Sequence, residues 1–125
     1  LGVSPKDLMG DLESFGLFFE DMAVRDLRIY TESLGGEVLH YRDNAGLECD
    51  AVLHLDDGRW GAVEIKLGGD DNIEAGASTL KQLKSKIEEK SDENAPSFLL
   101  VLTAVGGAYR REDGVFVAPI NLLKP

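Results

Sequence analysis

The 125 residues suffice for one domain around one hydrophobic core. A balance of 43% hydrophobic and 29% charged residues argues against disorder, and the longest apolar run, Phe98-Leu99-Leu100-Val101-Leu102, is too short to span a bilayer. The formal charge of −10, from 23 acidic against 13 basic residues, sets a condition on any nucleic-acid partner: the basic surface must be local or lie on another part of the polypeptide.

The chain opens on Leu1 and shows no basic patch followed by an apolar leader, so we expect a piece of a longer cytoplasmic protein with no membrane segment. The single cysteine, Cys49, rules out an internal disulfide and is compatible with a reducing compartment.

Ser4-Pro5-Lys6-Asp7 carries the signals of a helix start: a capping serine, a proline at the first helical position and an acid near the positive end of the dipole. Gly10 and Gly16 predict a short helix, a break, and a longer helix over 16–34 that stops at Gly35-Gly36. Phe19, Ala23, Leu27, Tyr30 and Leu34 follow the spacing of one buried helical face. Glu20 lies beside that stripe, where it is either a boundary residue reaching solvent or a carboxylate with a partner or a metal.

Three strands are predicted next, over 37–42, 47–55 and 59–67, joined by turns at Asp43-Asn44-Ala45-Gly46 and Asp56-Asp57-Gly58, which makes an antiparallel meander. A loop at Gly68-Gly69-Asp70-Asp71-Asn72 leads to a helix beginning at Ala75 or Ser78 and ending at Lys90. Its apolar face is Leu80, Leu83 and Ile87, and Lys81, Lys84, Lys86 and Lys90 make it the most basic segment, a solvated face or a place for phosphate contacts. Ser91-Asp92-Glu93-Asn94-Ala95-Pro96 breaks it. A near-continuous apolar strand over 97–103 suits burial on both faces, a loop covers 105–114, and a short strand covers 115–118. The order is that of a single α/β domain with a mixed sheet.

Period-two alternation puts Glu48, Asp50, Val52 and His54 on one face of the second strand, and Leu47, Cys49, Ala51, Leu53 and Leu55 on the other. In the third strand Glu64 and Lys66 share a face, opposite Val63, Ile65 and Leu67. If the two strands pair, Asp50, Glu64 and Lys66 converge. Two carboxylates with a nearby carbonyl suit magnesium or manganese, which polarises a phosphate and acidifies a bound water, while a lysine orients that water or stabilises the transition state. An exposed, salt-bridged strand pair is the plain alternative. His40 and His54 lack ligand spacing, Asp70-Asp71 is only half of a calcium loop, and Cys49 reads as a packed residue rather than a nucleophile.

Tyr41-Arg42-Asp43 with Gly46, Glu48 and Asp50, followed by Gly61-Ala62-Val63-Glu64-Ile65-Lys66, resembles a C-terminal domain of unknown function found in prokaryotic AAA-type ATPases and grouped with the PD-(D/E)xK nuclease superfamily. Gly16-Leu17-Phe18-Phe19-Glu20 and Tyr109-Arg110-Arg111-Glu112-Asp113-Gly114-Val115 look like the same family, so the resemblance covers essentially residues 1–125. It implies a restriction-endonuclease-like α-β-β-β-α-β core with a mixed central sheet flanked by helices. It implies Glu20, Asp50, Glu64 and Lys66 as catalytic residues, with Asp50, Glu64 and Glu20 holding Mg2+ or Mn2+. It also implies an upstream ATPase domain, which alone would bind ATP, and a nucleic-acid substrate, DNA or RNA. The alternative within the same resemblance is a non-catalytic protein-binding or regulatory module of the ATPase. One departure stands out: Gln82 is followed four residues later by Lys86, where RecB-like nucleases carry tyrosine.

Overall fold

A computed structural model of the protein describes residues 5–90 and 95–123, with side chains from residue 14 onward. The elements run α1 (Pro5–Ser33), β1 (Gly36–Arg42), β2 (Glu48–Leu55), β3 (Trp60–Lys66), α2 (Asp70–Lys90), β4 (Phe98–Thr103), β5 (Tyr109–Arg110), β6 (Phe116–Pro119) and a 3-10 turn at Ile120–Leu122. The expected cap Ser4 and the breaker Ser91-Asp92-Glu93-Asn94 lie outside the described residues. The result is an α/β structure: one six-stranded mixed sheet in the order β1-β2-β3-β4-β6-β5, with two long helices.

The meander β1-β2-β3 is antiparallel, β3 pairs parallel with β4, β4 parallel with β6, and β5 antiparallel with β6. A parallel neighbour for β3 requires a crossover, and α2 supplies it. The short turns of the meander are set locally. Asp43 Oδ1 accepts the N–H groups of Ala45 and Leu47, both at 3.0 Å, and Gly46 takes a φ of 92° that other residues avoid.

Each face of the sheet buries one helix. Phe19, Ala23 and Leu27 of α1 pack on Ala51, Leu53, Val63, Ile65 and Leu102. Ala77, Leu80 and Leu83 of α2 pack on Trp60, Ala62, Val101 and Val117. β4 is covered on both sides, Leu102 under α1 and Val101 under α2, as its apolar run predicts.

Five local expectations are corrected. α1 is one continuous helix of 29 residues, with no break at Gly10 or Gly16. Glycine inside a helix costs only about 1 kcal/mol, less than is gained by burying the stripe that follows. That stripe ends early: Leu34 is 56% exposed, because the helix stops at Ser33 and Gly35, at φ 78°, redirects the chain. α2 begins at Asp70, not at Ala75 or Ser78; Asp70 and Asp71 form its first turn, where their charge suits the dipole, and the Ile73 N–H donates to the Gly69 carbonyl at 3.0 Å. Within the expected loop, Tyr109 and Arg110 form β5.

The last correction bears on the site. Leu39 pairs with Val52 and Tyr41 with Cys49, so the single residue His40 stands against two, Asp50 and Ala51. This is a β-bulge in β2, and it shifts the alternation by one residue. Cys49 therefore joins the cluster under α2, while Ala51 and Leu53 face α1; period two had placed all three together.

Candidate active site

β2 and β3 pair in register from His54↔Trp60 to Ala51↔Val63. Beyond that point side chains replace the ladder. The Asp50 N–H donates to Glu64 Oε2 at 3.3 Å, and the Ile65 N–H donates to Asp50 Oδ2 at 2.8 Å. The bulge thus re-aims Asp50 at the neighbouring strand, and the two carboxylates meet where the strands part.

Glu64 is only 6% exposed. α2 presses on it through Gly76, where an added Cβ would lie 3.4 Å from Glu64 Cβ and 3.2 Å from Val101 Cγ2. Burial, with the Asp50 carboxylate beside it, pushes the Glu64 pKa up to about 8; the Asp50 N–H and the Lys66 ammonium oppose the shift. Glu20, half-buried on α1, is also raised, first by burial and then by the charge and hydrogen bonding of Asp50. Asp50 therefore stands between two carboxyl groups that both hold protons more tightly than usual.

Lys66 and Glu20 line one cleft of about 450 Å³, walled by Leu17, Phe19, Ile65 and Leu67 with Asn72 at the start of α2. All four residues singled out from the sequence thus lie around the parting of β2 and β3: Asp50 and Glu64 in hydrogen-bonded exchange, Glu20 over Asp50, and Lys66 near enough to Glu64 to favour its ionised form.

Among the described residues, no group of three or more His, Cys, Asp and Glu side chains is already arranged to hold a metal ion. One oxygen each of Asp50 and Glu64 is engaged by a backbone N–H. The chemistry of the donor set nonetheless suits a hard divalent cation. The donors are all oxygen, they crowd negative charge with raised proton affinity, and a magnesium ion keeps several waters and needs only one or two carboxylates.

The other candidates are placed elsewhere or otherwise employed. Cys49 is fully buried, and burial, reinforced by Glu64, pushes its thiol up to about 12, so it is a packed residue. Asp70 and Asp71 belong to a helix turn. The lysines of α2 are not an open basic stripe: Lys86 Nζ is 2.7 Å from Asp43 Oδ2, Lys81 Nζ is 3.0 Å from Asp113 Oδ2, and Lys84 reaches Glu88 at 3.8 Å. These pairs also explain two stretches of the motif. Asp43 shapes the β1–β2 turn and ties it to α2, and the hydrogen bond from Lys86 is the main cause holding its carboxyl down at about 2. Arg111 spans Glu74 of α2 and Asp113, fixing the turn that leads into β6.

His40, set aside in the sequence for want of ligand spacing, is exposed on β1 opposite the bulge. It lies on the same strand as Val38, two positions on, and Val38 packs under α1; the imidazole is near enough to Glu20 to favour its ionised form. Nothing in residue spacing signals this, because the bulge that brings Asp50 opposite His40 leaves no mark in composition.

Residues 15–123 match the family described as Domain of unknown function (DUF4143), and the chain belongs to that family. No curated protein and no solved structure matches it.

Proposed function

We propose that this member of the DUF4143 family is a divalent-metal-dependent phosphodiesterase domain of the PD-(D/E)xK, restriction-endonuclease-like kind, carried by an AAA-type ATPase and acting on nucleic acid. The observation that carries the reading is the Asp50–Glu64 exchange where β2 and β3 part, with Glu20 above it and Lys66 in the adjoining cleft. Asp50, Glu64 and Glu20 would hold Mg2+ or Mn2+. The ion, when bound, supplies Lewis-acid polarisation of the scissile phosphate and a more acidic water.

The remaining work belongs to the chain itself. Glu64, raised in pKa by burial, releases its proton as a cation arrives, so that ion and proton compete for one site. Lys66 donates to a non-bridging phosphate oxygen, and its charge is aimed where negative charge grows during displacement. Leu17 and Phe19 form the apolar wall of the cleft. The ATPase portion would deliver the nucleic acid, since a net charge of −10 repels a polyanion and Lys81, Lys84 and Lys86 of α2 are already paired.

A second reading is favoured by one observation: Phe15, Leu17 and Phe18 are 55%, 66% and 67% exposed on α1 beside the cleft. Such a patch suits a protein surface, and the domain would then regulate the ATPase without cutting anything. The deciding experiment is cleavage of single-stranded, duplex and branched DNA, and of RNA, by the parent polypeptide with manganese. We expect wild type to cut at least one substrate and Glu64→Ala to cut none. A wild type that cuts nothing, with Glu64→Ala altering ATP hydrolysis instead, would establish the regulatory reading.

A further inference from the structure

We propose that His40 is a phosphate-binding residue of this site, its imidazole donating a hydrogen bond to a non-bridging oxygen of a nucleic-acid phosphate that lies over the β2 bulge. The inference rests on the carboxylate-site reading above and adds a contact that the Asp50, Glu64, Lys66 and Glu20 set does not contain.

The placement follows from the register. His40 stands alone against Asp50 and Ala51, and a bulge of this kind directs its extra residue away from regular alternation. Along β1, Val38 packs under α1 and Tyr41 packs with the α2 cluster, so His40 shares the α1 side with Val38. Glu20 descends to the same place from α1, close enough to His40 for their charges to interact. The strand order β1-β2-β3 then sets His40 and Lys66 on opposite sides of Asp50, each one strand away, a separation of about 5 Å per strand.

The chemistry needs a donor at that position. Asp50 lies there with Glu20 and Glu64 each close enough to interact with it, and an approaching phosphodiester adds a further negative charge. Two other cations near the meander are engaged: Arg42 of β1 pairs with Glu48 at 3.2 Å and Lys86 of α2 with Asp43. His40 is exposed and has no hydrogen-bond partner among the described residues, so its N–H is open to a ligand.

The chain contains two histidines, which makes the test direct. His54, exposed and paired in register with Glu37 and Trp60 toward the other end of β2, serves as the internal control. Ring signals of both would be followed by 1H–15N NMR while a 5′-phosphorylated thymidine dinucleotide is added with Mg2+. We expect the His40 signals to move saturably and those of His54 to stay. We also expect His40→Ala to weaken dinucleotide binding about tenfold, as befits one lost hydrogen bond to a charged group, with Mn2+ affinity unchanged and partial recovery in His40→Gln. If the backbone signals of Asp50 and Ile65 respond while His40 does not, or if His40→Ala binds the dinucleotide like wild type, this inference is overturned and the carboxylate site survives. If Asp50, Ile65 and His40 all ignore metal and dinucleotide, both fall together.

Discussion

Asp50 and Glu64 each supply the acceptor that the other's strand has stopped providing: Glu64 Oε2 receives the Asp50 N–H at 3.3 Å, and Asp50 Oδ2 receives the Ile65 N–H at 2.8 Å. The exchange holds two carboxylates together at the edge of the ladder although their charges repel. It makes them structural as well as chemical. Asp50→Ala leaves the Ile65 N–H, in a residue 7% exposed, without its acceptor and should destabilise the fold by about 1–3 kcal/mol. Asp50→Asn keeps an acceptor oxygen and removes charge, so its loss should be well under that of Asp50→Ala. Urea unfolding of both variants at neutral pH checks the order; equal losses would mean that the hydrogen bond to Ile65 contributes nothing.

Glu64 fixes the direction of a pH effect. Its folded-state pKa is raised from an ordinary 4.5 to about 8, by burial first and Asp50 second. A group raised on folding contributes stability that is fully present below its unfolded value and is lost as pH rises through its folded value. The metal-free protein should therefore lose stability between about pH 4.5 and pH 8 and level off above that window. Glu64→Gln, neutral and nearly the same shape, should flatten this slope and be the more stable form at pH 9 by an amount on the order of 1–2 kcal/mol. Denaturant melts in EDTA at pH 5, 7 and 9 measure it, and a wild type that gains stability over the same range would contradict the assignment.

A divalent cation should cancel the same loss. Binding to the native state alone adds RT ln(1 + [M]/Kd), about 2.7 kcal/mol when the ion is at a hundred times its dissociation constant. Millimolar manganese should therefore raise the melting temperature of wild type more at pH 8 than at pH 5, because protons and metal compete for Glu64 and Glu20. Asp50→Asn and Glu64→Gln should each lose most of the shift. An equal shift in Asp50→Asn would mean that the ion binds elsewhere on an acidic surface.

Much of this site was legible in the residues, for local reasons. Alternation marked β2 and β3, the Gly58 turn joined them into one hairpin, and a hairpin of that register brings Asp50 beside Glu64. Three features were not legible. The bulge depends on how β1 meets β2, a pairing property that no window of one strand contains, and it moved Cys49 to the other face and His40 toward the site. The start of α2 was misread because Gly68 and Gly69 suggest a loop, while the acids after them in fact complete a helix turn. The lysines of α2 look free in sequence; their partners Asp43 and Asp113 come from turns distant along the chain.

Lys66 separates chemistry from binding. It ends β3 and lines the cleft beside Glu20, and its charge eases ionisation of Glu64. Lys66→Ala removes that help without removing any oxygen donor. Metal affinity should therefore stay within a few-fold of wild type, and the manganese-induced rise in melting temperature should persist. Turnover should not: a positive charge aimed at developing phosphate charge is worth roughly 10²–10³ in rate, as for a lost oxyanion-hole donor. Lys66→Arg keeps the charge but spreads it over a planar fork, so it should recover only part of the rate. The comparison is the single-turnover rate against manganese affinity for wild type and both variants in the parent polypeptide. Loss of metal affinity together with rate in Lys66→Ala would make the lysine a structural partner of Glu64, and the phosphate contact would be withdrawn.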